Sequence, residues 1–176
     1  MAPLPLYRRI LGARFDELPE VLQRFHEGAS GGRARGTFRI ARGDGPIRKL
    51  VAAILQMPSA GESVPIRLEV VVEGDRERWL RHFPDRCMAT VQWADGNLLM
   101  ERFGLASFSS ELVVQGSRLR YEFRRAWFAG IPLPRWMSPH VDGYVDAGDV
   151  GWRVAVHIFA PLIGEIIHYE GWIEPE

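Results

Sequence analysis

Two-residue periodicity beyond residue 65 is the feature that most limits how this chain can fold. Apolar and polar residues alternate there in one short segment after another, as in "IRLEVVVEG" at residues 66–74. Short turns such as Asp95-Gly96 separate about nine such segments. Strands joined this closely must pair antiparallel, because parallel strands need long crossover connections. The sequence therefore predicts a long, strongly curved antiparallel meander, which either closes as a barrel or grips a helix.

The part of the chain before residue 65 has a period near 3.6 and predicts two main helices with a short strand between them. The first helix follows Asp16, a good N-cap residue, and contains the apolar residues Leu18, Val21, Leu22 and Phe25. The second lies in "DGPIRKLVAAILQMP", with an apolar stripe of Ile47, Leu50, Val51, Ile54 and Leu55. We therefore predict an α+β fold in a single domain over residues 1–176, with a helix-and-strand part at 6–58 and a sheet at 65–174.

Composition limits the partners and the compartment. The 22 basic and 22 acidic residues balance, so the chain has no overall field that would attract nucleic acid, although local patches are possible. Cys87 is the single cysteine, which excludes an intrachain disulfide. The N-terminus has no signal pattern and no apolar run reaches the ~18 residues of a membrane span. We expect a cytoplasmic protein without a transmembrane segment.

Cofactor and metal motifs do not occur in the sequence. It has no P-loop, no dinucleotide fingerprint and no G-x-S-x-G nucleophile motif. His157 and His168 lie on neighbouring strands of a predicted hairpin, but no third ligand accompanies them. The sequence therefore predicts no cofactor and no metal site.

Several short signatures occur in a fixed order along almost the whole chain. They include "ARGTFRIARG", "LVAAILQMPSAGESVPIRL", "GIPLPRWMSP" and "FAPLIGEIIHYEGWIEP". Together they resemble a bacterial family catalogued as domain of unknown function four-one-six-six. Members of that family occur alone or behind a reductase domain similar to saccharopine dehydrogenase. The resemblance implies an independently folding domain and a reductase partner acting in trans, and it brings no established catalytic residues.

Charged residues in the apolar phase of predicted strands are the best indication of a site. Arg125 shares the phase of Phe123 and Trp127, and Arg81 and Glu101 are in equivalent positions on their own strands. Burying such a group without a partner is very unfavourable, so each should be paired, reach solvent or face a ligand. One interpretation is an internal network in which Glu101 or Glu165 pairs with the two arginines.

The other interpretation is a ligand cavity, and the two are compatible. Its predicted walls are Trp79, Trp93, Tyr121, Trp127 and Trp152, and an arginine binds a carboxylate, phosphate or enolate oxygen. We predict as ligand-binding residues Trp79, Arg81, Tyr121, Arg125 and Trp127. The ligand class is a small, largely apolar or amphipathic molecule with an anionic or carbonyl group. In a catalytic version, a cofactor-free cyclase, isomerase or lyase, Glu101 is the acid/base and Arg125 or Arg81 stabilises negative charge.

A different class of function is an accessory or protein-interaction domain that works with a nicotinamide-dependent reductase. It predicts a filled barrel and an exposed apolar patch that includes Trp136. The segment "AWFAGIPLPRWMSP" has three interpretations: a lid over the barrel mouth, an interaction patch for a partner or a membrane surface, or a loop that caps the core.

Overall fold

The computed structural model describes residues 4–28 and 31–176. The first residues of the N-terminal segment, in which we found no signal pattern, lie outside the described part. The helices and strands are α1 (Leu6–Leu11), a 3₁₀ helix (Gly12–Glu17), α2 (Glu20–Glu27), β1 (Arg33–Arg42), α3 (Pro46–Ile54), β2 (Gly61–Glu73), β3 (Arg76–His82), β4 (Cys87–Asp95), β5 (Leu98–Phe103), β6 (Ala106–Gln115), β7 (Arg118–Phe128), β8 (Ile131–Pro132), β9 (His140–Ala147), β10 (Trp152–Ala160) and β11 (Gly164–Pro175).

Ten antiparallel strands form a closed barrel. Their order is β6-β5-β4-β3-β2-β1-β11-β10-β9-β7, and pairing between β6 and β7 closes the ring, while β8 pairs with the end of β7. β1 is inserted between the first and last strands of the predicted sheet, in register with β11 from Ala34↔Pro175 to Arg42↔Ile167. The strand predicted as a separate element thus completes the barrel, because without it β2 and β11 would both be free edges.

The barrel alternative of the prediction is confirmed, whereas the α+β label describes the fold only in part. Most of the described chain is sheet, and it carries three α-helices rather than two. The extra helix is α1, in which Leu6, Tyr7, Ile10 and Leu11 form a buried face. Asp16 does not cap α2 as predicted, because it lies in the 3₁₀ helix and Pro19 precedes the first turn of α2.

The helices lie at the two ends of the barrel. α1 and the 3₁₀ helix lie where β2 turns into β3 and β6 ends, since Arg9 donates to the Asp75 carbonyl (2.5 Å) and Arg14 to that of Val114 (3.3 Å). We call this the α1 end. α3 connects β1 to β2 at the opposite, α3 end, where Arg48 Nε donates to the Ile163 carbonyl in the β10–β11 turn (2.6 Å).

Candidate functional site

A cavity of about 130 Å³ runs inside the barrel between the two helical ends. It has room for several water molecules or a small organic molecule. Its wall is mostly apolar, with a few polar groups on one side, as is typical of small-molecule sites. The polar and aromatic side chains on the wall are Tyr7, Phe25, His26, Phe38, Trp79, Arg81, Gln92, Glu101, Phe103, Phe108, Ser110, Tyr121, Trp152 and Tyr169.

Helices α1 and α2 close the cavity at the α1 end. The rings of Tyr7 and His26 stack there with centroids 3.7 Å apart, and Phe25 lies against Trp152 at 4.8 Å. Burial lowers the pKa of His26 to about 3, so the imidazole is neutral at physiological pH. At the α3 end the cavity reaches Met57, which follows α3 and is fully buried.

Arg81, Thr90 and Glu101 form a connected polar network on the wall, contributed by β3, β4 and β5. Arg81 donates from one terminal nitrogen to the Thr90 hydroxyl (2.9 Å) and from the other to Glu101 Oε1 (3.3 Å). The Thr90 hydroxyl donates to the same carboxylate oxygen at 2.7 Å. The charged side chains are only 15% and 20% exposed. The predicted ion-pair network is therefore present only in part: Arg81 pairs with Glu101, whereas Arg125 and Glu165 are not members of it.

Part of this network has no protein partner. A guanidinium has five N–H donors, and the described residues accept from Arg81 twice. Within the same described residues, Glu101 accepts only through Oε1, which leaves Oε2 without a donor. Burial is the largest single effect and opposes the charge on Arg81, but Glu101, Tyr169 and Tyr7 together outweigh it, so the pKa of Arg81 is raised. The Arg81 guanidinium is therefore held in place and has N–H donors that no described residue accepts.

Three tyrosine hydroxyls line the same cavity. The Tyr7 hydroxyl lies 3.1 Å from Gln92 Oε1, to which it donates, and 3.2 Å from the hydroxyl of Tyr121. Burial raises the pKa of Tyr7 and of Tyr121 well above the ordinary value. It raises the pKa of Tyr169 to about 12. The phenols therefore stay protonated. The Tyr7 proton is used by Gln92 and the Tyr121 hydroxyl is hydrogen-bonded to Tyr7, whereas the Tyr169 hydroxyl has no partner among the described residues and can donate to an oxygen of a ligand.

Glu77 is a second buried carboxylate, one inward position before Trp79 on β3. It accepts a hydrogen bond from Trp79 Nε1 (3.0 Å) and another from the backbone N–H of Leu6, the first residue of α1. Burial raises the pKa of Glu77 although both hydrogen bonds act in the opposite direction. Glu77 therefore ties the start of α1 to the barrel wall and holds the indole of Trp79 in position.

Arg125 and Trp127 do not face the cavity, so the predicted inward orientation of both is wrong. The cause is a β-bulge in β7: Ser110 pairs with Phe123 but Ser109 pairs with Arg125, which leaves Arg124 as an extra residue. An extra residue reverses the side-chain alternation beyond it. Ala126 is buried instead, and Arg125 lies exposed on the outer surface, with its guanidinium 5.8 Å from the Trp127 ring.

The alternation of β4 is also opposite to the prediction. Trp93 points outward, where the guanidinium of Arg76 lies 5.4 Å from its ring, and Thr90 and Gln92 are buried. Trp79, Arg81, Tyr121 and Trp152 do lie on the cavity wall, together with Glu101. Glu165 is outside, 3.0 Å from Nε2 of His157.

Tyr7, Gln92 and Tyr169 line the cavity and were not predicted. Tyr7 had a signal in the sequence, because apolar residues at positions 6, 7, 10 and 11 after Pro5 follow helical spacing. Gln92 had none, since a glutamine between Val91 and Trp93 is expected to point to solvent. Within residues 4–28 and 31–176, no three His, Cys, Asp or Glu side chains come together as a metal site.

The surface of the α3 end is apolar. Trp136 and Met137 are 60% and 46% exposed, and they neither belong to the buried core nor line the cavity. In the part of the chain that the structure describes, they belong to a larger set of exposed apolar side chains at this end, which we call the α3-end patch. The patch consists of Ile47, Leu50, Ile54, Leu105, Phe128, Ile131, Trp136, Met137, Phe159 and Leu162. The described helices include none that is long and apolar enough to span a membrane.

The fold and site define a ten-stranded antiparallel β-barrel with a largely apolar internal cavity and a polar cluster on its wall. The chain belongs to the family described as Domain of unknown function (DUF4166), which it matches over residues 18–173. A crystal structure with a similar fold is that of a protein with unknown function from the DUF3598 family, from Nostoc punctiforme PCC 73102 (TM-score 0.52, 9% identity). The match covers 82% of this chain and 47% of that one, and at this identity it shows the fold alone. No curated protein matches the chain.

Proposed function

We propose that the barrel binds a small, largely apolar molecule whose carbonyl or carboxylate oxygen contacts Arg81. The observation that carries the proposal is the Arg81–Glu101 pair, which lies on the wall of an apolar cavity with N–H donors and a carboxylate oxygen to spare. In the part of the chain that the structure describes, neither residue has a fully buried side-chain nitrogen or oxygen without a partner, so the unused atoms of the pair keep accessible surface, and both residues line the cavity.

Gly143 supports the same proposal. It lies on β9 between the apolar cavity residues Val141 and Val145, and it contributes no side chain to the wall. A Cβ atom at this position would meet only ordinary contacts, the nearest being Val156 at 3.7 Å and Tyr121 at 3.8 Å. The backbone therefore does not require glycine here. A glycine in the middle of a strand weakens it, and the space gained lies directly beside Tyr121.

The same groups also support an acid/base function. In a ligand with a carbonyl group, Arg81 and Tyr169 can donate to the oxygen, while Glu101 Oε2 takes up a proton from the adjacent carbon. Return of that proton to a different carbon is an isomerisation that balances without a further reactant. Arg125, the other residue predicted for charge stabilisation, lies on the outer surface and has no part in this scheme.

Native mass spectrometry of the protein purified from its own host tests the binding proposal. We expect a small molecule retained by the wild type and lost in Arg81→Met. Arg125→Met is the matched control, since it removes the same charge from the outer surface and should retain the molecule. If folded wild type carries nothing in repeated preparations, or if Arg81→Met retains the molecule as well as the control does, the proposal is wrong.

The accessory-domain alternative makes different predictions. It requires a filled barrel, whereas the barrel contains a cavity of about 130 Å³. Its second prediction, an exposed apolar patch that includes Trp136, agrees with the structure. Affinity purification with a nicotinamide-dependent reductase from the same host, with and without Trp136→Ser, separates this alternative from ligand binding.

A further inference from the structure

Exposed apolar side chains are concentrated at one end of the barrel. Thirteen large apolar residues are exposed in the described ranges, and ten of them form the α3-end patch. The other three are Leu4, Val150 and Trp172. The ten come from four separate segments: α3, the β5–β6 turn, the β7–β9 connection and the end of β10 with its turn. The patch is therefore a property of the whole end of the barrel and does not come from one poorly packed loop.

α3 presents an apolar face to solvent. Ile47, Leu50 and Ile54 are 62%, 61% and 40% exposed, and their spacing of three and four residues places them along one side of the helix. The opposite side is buried through Ala52. A helix with apolar residues on its outer face, at the surface of the protein, is typical of segments that lie in a membrane interface.

Cations without carboxylate partners surround the patch. Lys49, Arg102, Arg125 and Arg135 are exposed, and the described residues give none of them a salt bridge or a side-chain hydrogen bond. Most other arginines of the barrel are paired, as Arg118 is with Asp146 at 2.8 Å. Asp44, just before α3, is an exposed carboxylate that likewise has no salt bridge among the described residues, and it offsets one of these four cations. Although the whole chain is neutral, this end therefore has more unpaired cations than unpaired carboxylates beside its exposed apolar side chains.

We propose that the α3 end docks on an anionic phospholipid surface. A bilayer of this kind offers an apolar layer behind a plane of negative charge, which matches apolar loop tips surrounded by unpaired cations. Trp136 fits the same geometry, because tryptophan prefers the membrane–water interface. This inference rests on the surface alone and does not require the proposed cavity ligand.

Vesicle co-sedimentation tests the proposal with phosphatidylcholine vesicles, with and without phosphatidylglycerol. We expect binding to the anionic vesicles that weakens with added salt. Changing Lys49, Arg102 and Arg135 together to Gln should reduce the partition coefficient by about fivefold for each charge removed. Leu50→Ser with Leu162→Ser should reduce it by roughly tenfold for each leucine.

The controls carry the same changes at the α1 end. Val150→Ser and Arg35→Gln remove an exposed apolar side chain and an exposed cation there, and both should bind vesicles as the wild type does. Tryptophan emission should shift to the blue on anionic vesicles, and Trp136→Phe should remove most of that shift. The proposal is overturned if neither vesicle binds at low salt, or if α3-end and α1-end variants bind equally. It is also overturned if the patch proves to join two copies, shown by a dimer that Leu50→Ser with Leu162→Ser dissociates.

Discussion

Acid sensitivity of the barrel should depend on His26. This imidazole is 9% exposed and stacks on Tyr7 at the α1 end of the cavity. Burial lowers its pKa from the ordinary 6.5 to about 3. Between these values the unfolded chain binds a proton that the folded chain excludes, so stability falls as the pH decreases below 6.5 and the loss levels off near pH 3.

The size of the effect follows from the pKa difference. Each pH unit below 6.5 lowers the free energy of unfolding by about 1.4 kcal/mol, so the loss from this one residue near pH 4.5 is about 3 kcal/mol. In a chain of this length that corresponds to roughly 6–12 °C in the melting temperature. His26→Phe keeps an aromatic ring against Tyr7 and does not titrate, and it should therefore lose about 3 kcal/mol less than the wild type between pH 7 and pH 4.5.

Urea unfolding at the two pH values, followed by tryptophan fluorescence, measures this difference. A difference in the free energy of unfolding between wild type and variant that does not change with pH would come from packing. The test is therefore how this difference changes with pH. Carboxylates that titrate in the same range affect both proteins equally and cancel. If the difference in the free energy of unfolding is the same at both pH values, His26 does not cause the acid sensitivity. That result would mean that folded His26 accepts a proton as readily as the unfolded chain.

Three further predictions concern Gly143, the Arg81–Glu101 pair and Glu77. Gly143→Leu should fill the space beside Tyr121 and abolish retention of a molecule in native mass spectrometry, with the free energy of unfolding unchanged or raised. Gly143→Ala should still retain the molecule. Equal retention by both variants would contradict the cavity site. Arg81→Met should lower the free energy of unfolding by about 2–4 kcal/mol in urea titrations, because it leaves the Glu101 carboxylate unpaired, and Arg81→Met with Glu101→Leu should recover most of the loss. A double variant no more stable than the single one would argue against the pair. Burial raises the pKa of Glu77, so the folded state loses stability as the pH rises above 4.5, and Glu77→Gln should be more favourable relative to wild type at pH 7 than at pH 4 in the same titrations. A gain that does not grow with pH would contradict this.

The polar wall and the apolar patch suggest two separate functions of one barrel. Arg81 and Glu101 are inside the barrel, and their side chains are 15% and 20% exposed. Lys49 and Arg135 are exposed on the surface of the α3 end. The internal groups can contact only a ligand that enters the cavity, whereas the exposed groups can contact a surface on which the protein docks. The two experiments above therefore succeed or fail independently.

Antiparallel pairing of strands that follow one another along the chain is readable from the sequence, whereas the insertion of β1 between β2 and β11 is not. Alternation with a period of two and tight turns such as Asp95-Gly96 allow only antiparallel pairing of neighbours. The orientation of the β3 side chains was also predictable. The residues that alternate with Trp79 and Arg81 are more polar, so they are expected to face solvent. These features are local, and the information that specifies them lies within a few residues.

The tertiary structure alone decided which charged residues face inward. In β7, the bulge at Arg124 reverses the alternation, and nothing in "EFRRAW" marks the extra residue, so Arg125 is outside although it shares the phase of Phe123. In β4, Gln92 faces inward and accepts a hydrogen bond from the hydroxyl of Tyr7, which lies on a helix 85 residues away in the sequence. Side-chain phase in a strand depends on pairing register, and register is set by distant strands, which a local pattern does not contain.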